Sequence, residues 1–174
     1  MNATTIRFAS APADNASLGR VLAAQSPRGL CAILLGDDES ALRAELSLVC
    51  PHADFIEEPG QLRRVLADIV ALVQMPGSNV LAFDHPLDLG GTPFQQRVWQ
   101  ALREIPTGSR VTYTEMAARV GRPDAVRAVA GACAANRHAV VIPCHRVVGR
   151  NGSLTGYRWG LARKQQLLAL EARR

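Results

Sequence analysis

The stretch Val140-Val141-Ile142-Pro143-Cys144-His145-Arg146-Val147-Val148-Gly149 sets one cysteine between a proline and a histidine, inside a run otherwise suited to burial. A thiolate is a strong nucleophile, and cationic or basic neighbours lower a thiol's pKa, so Cys144 is the candidate nucleophile. Adjacent side chains of an extended segment point apart. His145 is therefore expected to reach the sulfur through a water or a local turn, with a carboxylate orienting its far nitrogen. The glutamates after residue 90 are Glu104, Glu115 and Glu171. Glu171, in the helical stretch GLARKQQLLALE, is preferred, although spacing alone does not choose it. Cys31, Cys50 and Cys133 read as ordinary buried thiols. With no CxxC pair, neither a disulfide framework nor a zinc ribbon is suggested.

The elements that must position this cysteine begin at Thr92. TPFQQRVWQALREIP reads as a helix with Thr92 as N-cap, Pro93 at the first position, and Phe94, Val98, Trp99 and Leu102 as its apolar stripe. Trp99 is assigned to the core rather than to base stacking. TEMAARVG is a second short helix closed by Gly121. RPD is a turn with Asp124 as the cap, and AVRAVAGACAAN a third helix ending at Asn136. The last two make a helix-turn-helix candidate. Its second helix is nearly all Ala, Gly, Cys and Val, with Arg127 the only charge. A major-groove reader carries several long polar side chains, whereas small residues let a backbone come close to something.

The first half reads as mixed α/β. TIRFAS and RVLAAQ are strand-like, and GLCAILLGDD is a buried strand ending in turn residues. SALRAELSLVC is a helix capped by Ser40, with Leu42, Leu46 and Val49 at helical spacing. PGQLRRVLADIVALVQMPG buries Leu62, Val65, Leu66, Ile69 and Val73 on one face and stops at Pro76-Gly77. Residues 76 to 91 carry Pro, Gly, Ser and Asn around a short VLAF, which places a domain boundary near residue 90, between 1–90 and 91–174.

With 174 residues the chain can bury a real core, and its formal charge is +5. The sign is unevenly spread: residues 1–90 hold 6 Arg or Lys against 11 Asp or Glu, and residues 91–174 hold 14 against 4. The second half is basic enough to face phosphates. No apolar stretch reaches the roughly 20 residues of a membrane helix, and residues 1–20 lack the pattern of a signal peptide. A cytoplasmic location is expected.

IPCHRVVG following a helix-turn-helix and AAN resembles the active-site signature of the O6-alkylguanine-DNA alkyltransferases, or methylated-DNA-protein-cysteine methyltransferases. GYRWGLARKQQLL and RGLCAILLGDD look especially like the C-terminal domain of the bacterial Ada type. The resemblance implies a ribonuclease-H-like N-terminal α/β domain with a small antiparallel sheet, and a mostly helical, winged-helix-like C-terminal domain. It implies single-turnover repair: the damaged guanine is flipped from duplex DNA bound through the minor groove, and its alkyl group moves irreversibly to Cys144. O4-methylthymine is a further expected substrate. By position, Arg127 fills the gap in the base stack, Tyr113 rotates the phosphate and bonds the base, and Asn136 fixes the turn beneath the nucleophile. His145 and Glu171 form the proton relay. Ala128, Gly131, Ala134 and Ala135 give the close approach to DNA; Val147, Tyr157 and Arg158 line the base pocket.

The cysteine-rich zinc region of Ada-type members has no match here, and Cys31, Cys50, His52 and His85 are not spaced as metal ligands. No metal or cofactor is expected, and the chain is expected to act as a monomer. A non-catalytic DNA-damage sensor of the same fold is the leading alternative, against which Cys144 argues directly. A helix-turn-helix transcription factor has too few sequence readers here, and a cysteine hydrolase has no need of a basic DNA-facing helix.

Overall fold

The computed structural model describes residues 3–74 and 83–173. Strands β1 (Thr4–Pro12), β2 (Arg20–Ser26) and β3 (Gly29–Gly36) form an antiparallel meander. β2 and β3 are buried at almost every position, which requires cover on both faces. Helix α1 (Glu39–Val49) then returns the chain across the sheet to β4 (Ala53–Glu57), which pairs with β1. That pairing is parallel, Ile6 opposite Phe55, so the sheet is mixed and the expectation of an antiparallel sheet is corrected. The cause is the helical crossover: a strand entered from such a connection runs the same way as the strand before it. β4 carries little pattern of its own, since it is an edge strand with Ile56 half exposed.

Helix α1 is capped by Asp38, whose carboxylate accepts from Ala41 N at 2.8 Å, and not by Ser40. Both residue types cap well, and the helix begins two residues earlier than a Ser40 cap would place it. Helix α2 (Pro59–Gln74) buries Leu62, Val65, Leu66, Ile69 and Val73, the five expected; its anticipated stop at Pro76-Gly77 lies outside the described residues.

In the second half, α3 (Pro93–Arg103) starts with a complete capping box between Thr92 and Gln95 and buries Val98, Trp99 and Leu102. Trp99 donates from its indole to Ala132 O at 2.8 Å, so it is a core residue. A two-residue parallel pair, β5 (Val111–Thr112) and β6 (Val147–Val148), flanks the helix pair α4 (Tyr113–Arg119) and α5 (Val126–Ala134). Gly121, at φ +74°, ends α4: its N–H reaches Ala118 O at 3.0 Å and that of Arg122 reaches Ala117 O at 2.9 Å, a Schellman closure. Asp124 does not cap α5. Its carboxylate pairs with Arg122 at 3.3 Å, and Ala125 takes the cap position without a side-chain bond. Helix α6 (Leu161–Ala172) closes the fold.

The halves meet along β3. Ile33 N donates to Arg137 O at 2.7 Å, and Ala139 N donates back to Ile33 O at 2.9 Å, so segment 137–139 pairs with β3. His138 joins its ring Nε2 to Leu30 O at 2.7 Å.

Candidate active site

Cys144 opens a short 3-10 turn, Cys144–Arg146, directly after α5 and the splinted segment. This turn, not an extended strand, lets successive side chains share one site. Asn136, fully buried, fixes the approach: its Nδ2 donates to Ile142 O at 2.9 Å and to the Cys144 sulfur at 3.2 Å, and its Oδ1 accepts from His138 N at 2.8 Å. Between them, Val140 is held at φ +68°, a left-handed conformation costly for a branched residue.

His145 is buried and places Nε2 2.8 Å from Glu171 Oε1. Its Nδ1 makes no hydrogen bond among the described residues. Burial pulls the imidazole below its ordinary pKa even though Glu171 pushes the other way, so His145 rests neutral. Glu171 is equally the counter-charge of Arg146, whose Nε lies 3.0 Å from both carboxylate oxygens and whose Nη2 is 2.7 Å from Oε1. Burial alone would raise the Glu171 carboxyl; His145 and Arg146 outweigh it and hold it down at about 2. Burial also raises Cys144, and the Asn136 amide, Lys164 and Arg158 offset this only in part. The expectation that basic neighbours depress this thiol is thus overturned by desolvation.

The sulfur lies on the wall of a cavity of about 500 Å3 lined by Tyr113, Arg127, Cys133, Tyr157, Arg158 and their neighbours. Most of its wall is carbon. Tyr113 donates its hydroxyl to Thr155 O at 3.0 Å. Lys164, fully buried, donates to the carbonyls of Thr155 and Gly156 at 3.1 Å each and so shapes the loop that forms one wall. Sequence reasoning missed Lys164 because a lysine in a polar helical stretch reads as solvated. At the cavity mouth α5 exposes Arg127, Ala128, Ala130, Gly131 and Ala134, while Val129, Ala132 and Cys133 face inward. Arg158 joins Glu45 of α1 at 2.9 Å and the Ala134 carbonyl at 3.3 Å.

Residues 93–173 match the family described as 6-O-methylguanine DNA methyltransferase, DNA binding domain. The "Crystal structure of Mycobacterium tuberculosis OGT in complex with DNA" superposes with a TM-score of 0.75 at 32% identity, covering 97% of this chain and 92% of that one. The chain belongs to the O6-methylguanine DNA methyltransferase family. Within this family it is 48% identical to the bifunctional transcriptional activator/DNA repair enzyme Ada of Escherichia coli, over 96% of this chain and 46% of that protein. It is 56% identical to the methylated-DNA--protein-cysteine methyltransferase of Mycolicibacterium paratuberculosis, over 52% of this chain and 55% of that one. The chain spans about half the length of these curated relatives. The fold alone is also that of the Pyrococcus kodakaraensis methyltransferase, at 22% identity and a TM-score of 0.75.

Of the residues expected at the methyltransferase site, Tyr113, Arg127, Ala134, Cys144, Tyr157 and Arg158 line one cavity, and Asn136, His145 and Glu171 stand behind the Cys144 turn. Ala128 and Gly131 face outward on α5, and Ala135 is its C-cap. Val147 is buried in β6 opposite Val111, and its N–H donates to Cys144 O. Its side chain is not in the cavity wall. Among the described residues, no cluster of three or more His, Cys, Asp or Glu is placed to hold a metal, and no helix is long and apolar enough to cross a membrane.

Proposed function

We propose that this chain repairs O6-alkylated guanine in duplex DNA by direct reversal, taking the alkyl group onto Cys144 once per molecule. The observation that carries this reading is the placement of one sulfur in a base-sized apolar cavity, with a neutral His145 bonded to an ionised Glu171 behind it and the exposed Ala and Gly face of α5 at the mouth. Small side chains and one arginine suit a helix lying in the minor groove, with Arg127 entering the stack as the base leaves. Tyr113, at the mouth, would turn the phosphate and bond the base; Tyr157 and the Arg158 backbone would receive its O6 side, and the Cys144 and Val147 carbonyls its amino group.

The thiol is protonated at rest, so its proton must leave as the base arrives. His145 accepts it at Nδ1 through a bridging water, and Glu171 stabilises the imidazolium that forms. The sulfur attacks the alkyl carbon in line, the C–O bond breaks, and guanine departs with a proton. A thioether has no easy route back, so the protein is consumed. The RNase-H-like first half then serves as support, the winged-helix-like second half carries DNA binding and chemistry with a boundary near residue 90, and a cytoplasmic monomer is sufficient. O4-methylthymine, with the same ether linkage, is a second substrate of this reading.

The test is intact-protein mass spectrometry with peptide mapping after mixing with a duplex containing one O6-methylguanine. One methyl group on Cys144, saturating at one per protein, is the expected result. Retained lesion binding with no mass change would instead make the chain a damage sensor.

A further inference from the structure

A second cavity, of about 670 Å3, lies away from the first; its lining includes Cys31, Cys50, His52, Asp88 and Arg137. Cys31 is on β3 and Cys50 caps the end of α1, and both side chains line this cavity, near enough for each thiol to act on the other. Both are free, Cys31 buried and Cys50 partly open to the cavity. The Cys31 thiol donates to Ala24 O at 3.4 Å. Arg137 is anchored through Nη1 on Val49 O at 2.8 Å, and its charge acts on the Cys50 sulfur. Asp88, the carboxylate that faces the pair, is engaged by Ser26 at 2.7 Å and Arg28 at 3.2 Å.

We propose that Cys31 and Cys50 are an oxidisable dithiol, in which Cys50 attacks a hydroperoxide and Cys31 resolves the product to a disulfide. The Cys50 thiolate takes the outer peroxide oxygen, the O–O bond breaks, and the alkoxide or hydroxide leaves with a proton. Cys31 then attacks the Cys50 sulfenic acid; an S–S bond forms, the S–O bond breaks and water departs. Two thiols lose two electrons and two protons, and the peroxide is reduced to an alcohol, or to water when it is hydrogen peroxide, with one further water released. The division of labour follows the surroundings. The neighbouring Cys31 thiol and the Arg137 charge draw the Cys50 thiol down, while Cys50 and burial push Cys31 up.

The experiment treats the whole protein with hydrogen peroxide near neutral pH, blocks the remaining thiols with N-ethylmaleimide after unfolding, and maps peptides without reductant. A linked Cys31–Cys50 peptide, both sites losing maleimide label together, is expected. Cys31→Ser should leave a dimedone-reactive sulfenic acid on Cys50, and Cys50→Ser should leave Cys31 fully labelled. Arg137→Met should slow Cys50 alkylation by roughly tenfold, with Arg137→Lys restoring most of it. Full maleimide labelling of both residues after peroxide that oxidises Cys144, or a Cys133–Cys144 bridge in place of the expected one, would overturn the proposal.

Discussion

Asn136 holds Cys144 by its sulfur, donating one amide hydrogen bond to Sγ at 3.2 Å while the same nitrogen reaches Ile142 O at 2.9 Å and the amide oxygen accepts from His138 N. A buried side chain with three partners ties together the end of α5, the strained turn at Val140 and the Cys144 sulfur. Asn136→Ala leaves the His138 N–H unpaired in the core and takes one of two donors from the Ile142 carbonyl, which the Cys144 N–H still serves, at a cost of about 1–3 kcal/mol. Chemical denaturation should show that loss, and the transfer rate at a temperature where the variant is folded should fall by more than tenfold. A folded variant with unchanged transfer would mean that the amide only braces the turn.

Cys144→Ala should abolish methyl transfer and leave duplex affinity nearly unchanged, read by band shift and by mass. Arg127→Ala should reduce repair of a duplex lesion far more than reaction with free O6-methylguanine. Equal losses on both substrates would remove Arg127 from base extrusion.

Gly131 faces outward on α5 with nothing within 4 Å of where a side chain would start. Gly131→Leu should therefore raise stability by roughly 0.5–1 kcal/mol through helix propensity. DNA affinity should drop by at least tenfold, because the added bulk stands on the face of α5 proposed to meet the DNA. Unchanged affinity would place the DNA elsewhere.

Stability should fall in two stages on acidification. His138 is buried and held down at about 4, chiefly by desolvation, so the unfolded chain binds its proton first and stability declines from about pH 6.5 toward 4. Glu171, held down at about 2, adds a second decline that begins near its ordinary pKa of 4.5 and ends near 2. His138→Gln should shrink the first stage in pH-dependent denaturation curves, leaving the part that His145, also held below its ordinary pKa by burial, contributes. Glu171→Gln strips Arg146 of its only carboxylate partner in the described structure and should cost about 3 kcal/mol at neutral pH, by differential unfolding.

Much of this was legible because local chemistry and global fold agree at the decisive places. The five apolar positions of α2, the Thr92 cap with Pro93 and Gly121 after α4 follow from spacing or side-chain type, whereas the Asn136 support beneath Cys144 was expected only from the family resemblance. What escaped reading depends on distant partners. β4 is an edge strand whose parallel pairing exists only because α1 returns it to β1. Asp124 has the chemistry of a cap, yet the nearby Arg122 claims its carboxylate. Lys164 is recognisable as a buried cation only once the carbonyls of Thr155 and Gly156 are brought to it. The raised pKa of Cys144 likewise depends on burial by residues far away in sequence.

The pairing of β3 with residues 137–139 has a bearing on how the protein comes into being. The loop that carries the reactive sulfur takes its shape from a strand about one hundred positions earlier, through Ile33 and the Leu30 carbonyl. Contacts of such separation form late in folding, because a long loop must close before they repay its entropy. During synthesis, however, the strand leaves the ribosome first. The frame exists before the thiol does, and the Cys144 sulfur acquires its fixed geometry only when the chain closes onto a surface already built.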